Sequence, residues 1–134
     1  MRALGVGINL GPHAIKELSA LGLEDALVAT SCQPTDYAFF TRHGQLVYRT
    51  PHGKAAGHQW PHVCVLRPDL QRVLLTAVRE RICAGNFITG HRCVGFEQEG
   101  NRVTARFVGP DGSALSPEHG DVLIACDGIH STVR

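Results

Sequence analysis

Gly120–Arg134 reads GDVLIACDGIHSTVR: an acidic residue, the unbroken apolar run Val122–Cys126, then Asp127-Gly128 with Ser131 and Arg134 at fixed offsets. A short continuous apolar run bounded by turn signals is the pattern of a strand covered on both faces, as in a parallel sheet. The reading is a short buried strand over Asp121–Cys126 that runs directly into Asp127-Gly128. An Asp-Gly pair at the carboxyl end of such a strand lies where an open α/β sheet binds ligands. Gly128 lets the backbone come close to a ligand, and Asp127 can accept hydrogen bonds from a ribose hydroxyl, a backbone amide or an Arg. An ordinary turn with Asp127 as a cap fits the same residues.

At the other end, LGVGINLGPHAIKELSALGLEDAL (Leu4–Leu27) has glycines at 5, 7 and 11. The spacing is G-x-G-x-x-x-G where a dinucleotide fingerprint needs G-x-G-x-x-G, and only four residues precede Gly5, too few for the strand that delivers such a loop. On its own terms the match to a dinucleotide fingerprint therefore fails. Pro12 suits the first helical position, Ile15, Leu18 and Leu21 recur at helical spacing, and Gly22 suits a left-handed cap, which predicts a helix over 12–21. Glu24 to Ala29 add a further short helical turn.

From Tyr37 the period changes to two. Tyr37–Arg42 and Gln45–Thr50 flank His43-Gly44 and predict a hairpin with a two-residue turn. Residues 51–62, with two prolines, two glycines and three histidines, read as an irregular loop. After the apolar run His62–Leu66, RPDLQRVLLTAVRERI places Leu70, Val73, Leu74, Ala77, Val78 and Ile82 on one face of a helix started by Pro68. Phe87–Glu97 and Arg102–Val108 form a second pair of strands around Glu99-Gly100-Asn101, with a turn at Gly109–Gly112.

The composition bounds the partners. A net charge of +1 with scattered Lys and Arg leaves no electrostatic footprint for nucleic acid and no polybasic patch for a membrane. No apolar stretch approaches the length of a span and the start lacks a signal-peptide layout, so the expected compartment is the cytoplasm. The five cysteines, 32, 64, 83, 93 and 126, include no C-x-x-C and read as reduced thiols, mostly packed as small hydrophobes. His52, His58 and His62 lie close together, but H-x5-H-x3-H without a carboxylate among them lacks zinc geometry; they read as solvated loop histidines, and no metal is expected.

Three ordered motifs together carry a family resemblance. DGIHSTVR resembles the D-G-x-x-S-x-x-R motif of the single-component flavin-dependent aromatic hydroxylases, the para-hydroxybenzoate and salicylate hydroxylase superfamily. LRPDLQRVLLTAV (Leu66–Val78) resembles the stretch whose Arg opens a helix at the flavin, and LGVGINLGPHAIKELSALGL (Leu4–Leu23) the segment after the first βαβ unit. The nearest likeness is to the bacterial branch with phenazine- and salicylate-hydroxylating enzymes. Ala125-Cys126 departs from the Gly-Ala pair commonly found before the motif's Asp.

The resemblance implies an α/β fold: part of a Rossmann-like FAD-binding domain with an inserted β-rich substrate-domain segment, its N- and C-terminal parts missing. Residues 1–134 would be a partial FAD-binding domain, with 37–62 on the substrate-side sheet. The true fingerprint would lie upstream and a Gly-Asp motif downstream, in a protein of roughly 350–400 residues, larger than one small core makes. For FAD the resemblance implies contact by Arg67, a pyrophosphate region at Asp127-Gly128 that the nicotinamide nucleotide also approaches, reach to the cofactor from Arg2, and a backbone facing the adenosine at Cys93. The chemistry implied is reduction of FAD by NADPH or NADH and transfer of one oxygen atom from O₂ to a small aromatic substrate. It assigns no catalytic base and no oligomeric state. Two other readings stay open: a truncated flavoprotein-like module without activity, and, disfavoured by the absence of a complete G-x-G-x-x-G, a nicotinamide-only dehydrogenase.

Overall fold

A computed structural model describes residues 5–134, and Arg2 lies outside the described residues. The chain divides into two compact units, Met1–Phe87 and Ile88–Arg134.

In the first unit, β1 (Gly7–Leu10), β2 (Ser31–Cys32) and β5 (Val63–Leu66) form an antiparallel sheet in the order β1-β5-β2. Half of the glycine-rich stretch is thus itself a strand, in register with β5 through Ile8↔Val65 and Leu10↔Val63. Gly11 then caps α1 (Pro12–Ala20), with Pro12 at its first position, as the missing proline N–H permits. The helix ends as read: Gly22 takes a φ of 69°, and the Leu23 N–H reaches back to the Leu18 carbonyl at 2.9 Å. This closure buries Leu23 beside Leu18. The short α2 (Glu24–Val28) follows.

α3 (Arg67–Arg81) begins one residue after β5, with Pro68 and Asp69 in its first turn and Arg79 and Arg81 in its last, which suits the helix dipole at both ends. Arg81 donates to the Leu21 carbonyl at 2.7 Å and so ties this end to the cap of α1. Of the predicted apolar face, Ala77 is buried and Leu70 and Val73 pack inward, whereas Leu74 is exposed and Ile82 falls past the last turn. Two buried clusters, Ile15-Val63-Val65 and Leu23-Leu27-Ala77, share Leu18 and Leu70 as packing partners and so form one core between helices and sheet.

The hairpin comprises β3 (Asp36–Phe40) and β4 (Leu46–Pro51), which pair with each other. The connection is residues 41–45, longer than the two-residue turn predicted: Thr41 N–H donates to the Gln45 carbonyl, Gly44 sits at φ 81°, and the register slips between Phe39 and Phe40. That slip adds the twist a longer loop requires. Residues 51–62 are more ordered than an irregular loop, since Gly53–Ala56 form a 3-10 turn and Gly53, Pro61 and His62 are buried.

In the second unit β6 (Arg92–Glu99), β7 (Arg102–Val108) and β8 (Glu118–Gly120) make an antiparallel sheet in that order. β6 starts later than read, because Ala84–Asn86 form a 3-10 turn and the chain through His91 is irregular. The sequence pattern gives no sign of β8. Conversely, the buried strand expected over Asp121–Cys126 is not formed: Val122 is 75% and Ile124 79% exposed. An apolar run becomes a strand only where neighbours pair its amides and cover its side chains, and none of the described residues does so here.

Candidate functional site

Arg67 is the first residue of α3, directly after β5, and its side chain is exposed. Its backbone N–H donates to the Val6 carbonyl at 3.2 Å, so the glycine stretch and the start of α3 are joined. Gly5 closes over the Arg67 stem: at φ 134° it occupies space in which a Cβ would stand 2.7 Å from Arg67 Cδ. Among the described residues no carboxylate lies within ion-pair distance of the Arg67 guanidinium. The result is an exposed cation, without an ion-pair partner among the described residues, whose stem lies beside a backbone without side-chain bulk, a fitting arrangement for an anionic group such as a cofactor phosphate.

A second feature of this unit is a cleft of about 670 Å³ between the start of α1 and the segment His52–His62, in which Lys16, Tyr37, His52, Trp60 and His62 face one space. The Tyr37 hydroxyl lies 3.0 Å from His62 Nε2, and the rings of Tyr37, His52 and His62 meet edge to face. His62 is 7% exposed. Burial, and then the neighbouring His52, hold its imidazole below the ordinary histidine range, so at neutral pH it is uncharged and Nε2 can accept from Tyr37. The expectation of solvated histidines is therefore corrected for His62 and, in part, for His52; of the three only His58 is exposed. The signal available in sequence was Gly53, whose positive φ folds the turn back onto His62. Among the described residues no group of His, Cys, Asp and Glu could hold a metal. The five cysteines are free, but Cys32, Cys83 and Cys126 are exposed rather than packed.

In the second unit, Cys93 is half-buried on β6 opposite Phe107, next to the register shift that leaves Val94 unpaired, and its thiol lies 3.6 Å from the Gly95 carbonyl. Asp127 precedes a turn over Gly128–Ser131. Gly128 takes φ 81°, its carbonyl accepts from the Ser131 N–H, and the Asp127 carboxylate accepts from the Thr132 N–H at 2.9 Å. The Ser131 hydroxyl first, and then backbone amides, hold the Asp127 carboxyl below the usual carboxylate range. Asp127 thus caps the turn that follows, and it is exposed to solvent. Arg67 belongs to the first unit and Cys93, Asp127 and Gly128 to the second.

Comparison with known proteins gives this geometry its family. The FAD binding domain family matches residues 5–134, and the chain belongs to it. The chain is 42% identical to the phenazine 1,6-dicarboxylic acid hydroxylase PhzS of Lysobacter antibioticus, over all of this chain and 33% of that protein. It is 33% identical to the 6-hydroxynicotinate 3-monooxygenase of Pseudomonas fluorescens, over 98% of this chain and 32% of that protein. Among solved structures, the flavin-dependent monooxygenase PieE in complex with FAD and substrate superposes with a TM-score of 0.76 at 23% identity, over 98% of this chain and 25% of that one, a likeness of fold. The chain spans about a third of the length of the curated relatives it matches. The α/β FAD-binding assignment made from three motifs stands, and among the described residues no helix is long and apolar enough to cross a membrane.

Proposed function

We propose that this chain supplies part of the flavin and substrate sites of an FAD-dependent monooxygenase that hydroxylates a small aromatic acid with NADPH or NADH and O₂. The observation that carries the reading is Arg67, whose stem packs against Gly5 and whose guanidinium has no ion-pair partner among the described residues, in a chain matched along its described length by an FAD binding domain. When bound, the flavin supplies the redox and oxygen chemistry, and the protein supplies orientation and hydrogen bonds. Arg67 would hold an anionic part of the cofactor, while Gly128 and the Asp127 turn would meet the pyrophosphate and the incoming nicotinamide nucleotide. Arg2 and the backbone of Cys93 are assigned to the cofactor by resemblance alone.

Residues 37–62 are proposed as the substrate side. Their cleft is of a size that suits a small aromatic ligand, with Trp60 and Tyr37 as ring partners and Lys16 as the cation for a carboxylate. The named relatives act on phenazine dicarboxylic acid and hydroxynicotinate, which are aromatic acids of this kind.

The test measures FAD affinity and anaerobic flavin reduction by NADPH and NADH for the complete protein that carries this chain, purified as wild type and as variants. A charge-assisted hydrogen bond contributes roughly 1.5–3 kcal/mol, so Arg67→Ala is expected to weaken FAD about ten- to a hundredfold while far-UV CD stays unchanged. Asp127→Ala is expected to slow flavin reduction as well as weaken FAD. Wild-type affinity and rate in both variants would refute the residue assignments, and a protein that holds no flavin at any concentration would favour the inactive module.

A further inference from the structure

The sheet of the first unit sets two free thiols directly opposite each other. Cys32 on β2 is the register partner of Cys64 on β5. Directly opposed residues of an antiparallel pair have Cα atoms about 4.5–5.5 Å apart and side chains on the same face, inside the roughly 4.4–6.8 Å span that a disulfide bridges. Their Cβ atoms stand about 4.5–5.5 Å apart against the 3.5–4.5 Å a disulfide needs, so closure takes a movement of about 1 Å. β2 can give that movement, being two residues long and at the edge of the sheet.

Access is also provided. Cys32 is exposed, Cys64 is half-buried, and both line an open depression of about 510 Å³ with Thr30 and Asn9. Cys83 and Cys126 are exposed too, but neither has a second cysteine as a strand partner.

We propose that Cys32 and Cys64 form a peroxide-responsive dithiol, Cys32 being oxidised first and Cys64 resolving it into a cross-strand disulfide. The Cys32 thiolate attacks one oxygen of hydrogen peroxide; an S–O bond forms, the O–O bond breaks, and the departing hydroxide takes a proton to leave as water. The Cys64 sulfur then attacks the Cys32 sulfur of the sulfenic acid; the S–S bond forms, the S–O bond breaks, and the second oxygen leaves as water with the Cys64 proton. Two thiols lose two electrons in all, and one peroxide becomes two waters. Burial, and then the nearby Cys32, push the Cys64 thiol up, so the resolving step accelerates as pH rises. The bond would fasten the edge of the sheet to the strand that leads three residues later into Arg67.

The test treats the reduced protein with one equivalent of hydrogen peroxide and reads free thiols and digested peptides by mass spectrometry. Arg42, Arg49 and Lys54 separate the two cysteines, so trypsin releases them on different peptides. The expected result is a fall from five free thiols to three, a Cys32–Cys64 linked peptide lighter by about 2 Da than the sum of its parts, and reversal by dithiothreitol. In Cys64→Ser, or Cys64→Ala should the first fold poorly, Cys32 is expected to persist as a sulfenic acid trapped by a 1,3-diketone. Even loss across all five thiols, a link between another pair, or a sulfenic acid that persists on Cys32 with Cys64 present would each overturn the proposal.

Discussion

Val63–Leu66 and Val122–Cys126 are the same kind of sequence, a short apolar run that ends on a charged residue, Arg67 in one case and Asp127 in the other. Their fates differ. The first lies between β1 and β2, with Val63 fully buried and Val65 at 3% exposure under Ile15 of α1. The second has no strand partner among the described residues and leaves Val122 and Ile124 in solvent, with only Leu123 half-buried. A strand is thus a property of a pair and its covering layer, because each amide must find a partner and each apolar side chain a neighbour.

The comparison can be broken at its strong end first. Ile15→Ala removes a side chain with no solvent exposure from the cluster it shares with Val63 and Val65, and is expected to cost about 2–5 kcal/mol in urea unfolding followed by CD. A loss as small as that of a surface substitution would mean that β5 is no better covered than the terminal run.

Next in size is Gly53→Ala. At φ 56° the position is strained for any side chain, and the new Cβ would meet the backbone nitrogen of His62, so a cost of about 1–3 kcal/mol is expected, with the Tyr37–His62 hydrogen bond lost. Histidine NMR and thermal unfolding would read both effects. If the variant melts like wild type with His62 unshifted, the turn does not hold the cleft together.

His62 itself makes a smaller, pH-dependent contribution whose sign follows from its environment. Above its ordinary value of 6.5 the ring is neutral in both folded and unfolded chains and adds no pH dependence. Below that value the unfolded chain binds a proton that the buried ring resists, so stability falls with pH until the depressed folded value is passed. Denaturant midpoints measured from about pH 7 to pH 5 should fall more steeply in wild type than in His62→Gln, and equal slopes would mean that the ring is solvated after all. The smallest effect is expected at Ile124→Ala, within about 0.5 kcal/mol for an exposed residue; a loss comparable to Ile15→Ala would show that the terminal run has found a partner.

What could be read in advance divides along the same line. α1 with its Gly22 closure and α3 with its Pro68 start are governed by interactions a few residues apart, and both formed where read. The hairpin existed as predicted but its loop was longer, because the slip at Phe39 depends on how the strands twist together. β8, whose residues Glu118–Gly120 carry no strand pattern, forms because β7 offers an open edge, and a partner's edge is invisible in the residues that join it. The site behaves likewise. Arg67 was singled out by its motif, but the contact of its stem with Gly5, and the burial of His62 beside Tyr37, join positions 62 and 25 residues apart.

The contact between Gly5 and the Arg67 stem also makes the two positions a coupled pair for protein engineering. A methyl group at residue 5 would leave every charge in place, yet at φ 134° it strains the backbone and meets Arg67 Cδ, so Gly5→Ala displaces the stem that carries the cation where Arg67→Lys would change the cation's shape. A designer who wishes to retune what this corner of the molecule recognises has in residue 5 a steering screw and in residue 67 the tool it points, and enlarging the first calls for shortening the second.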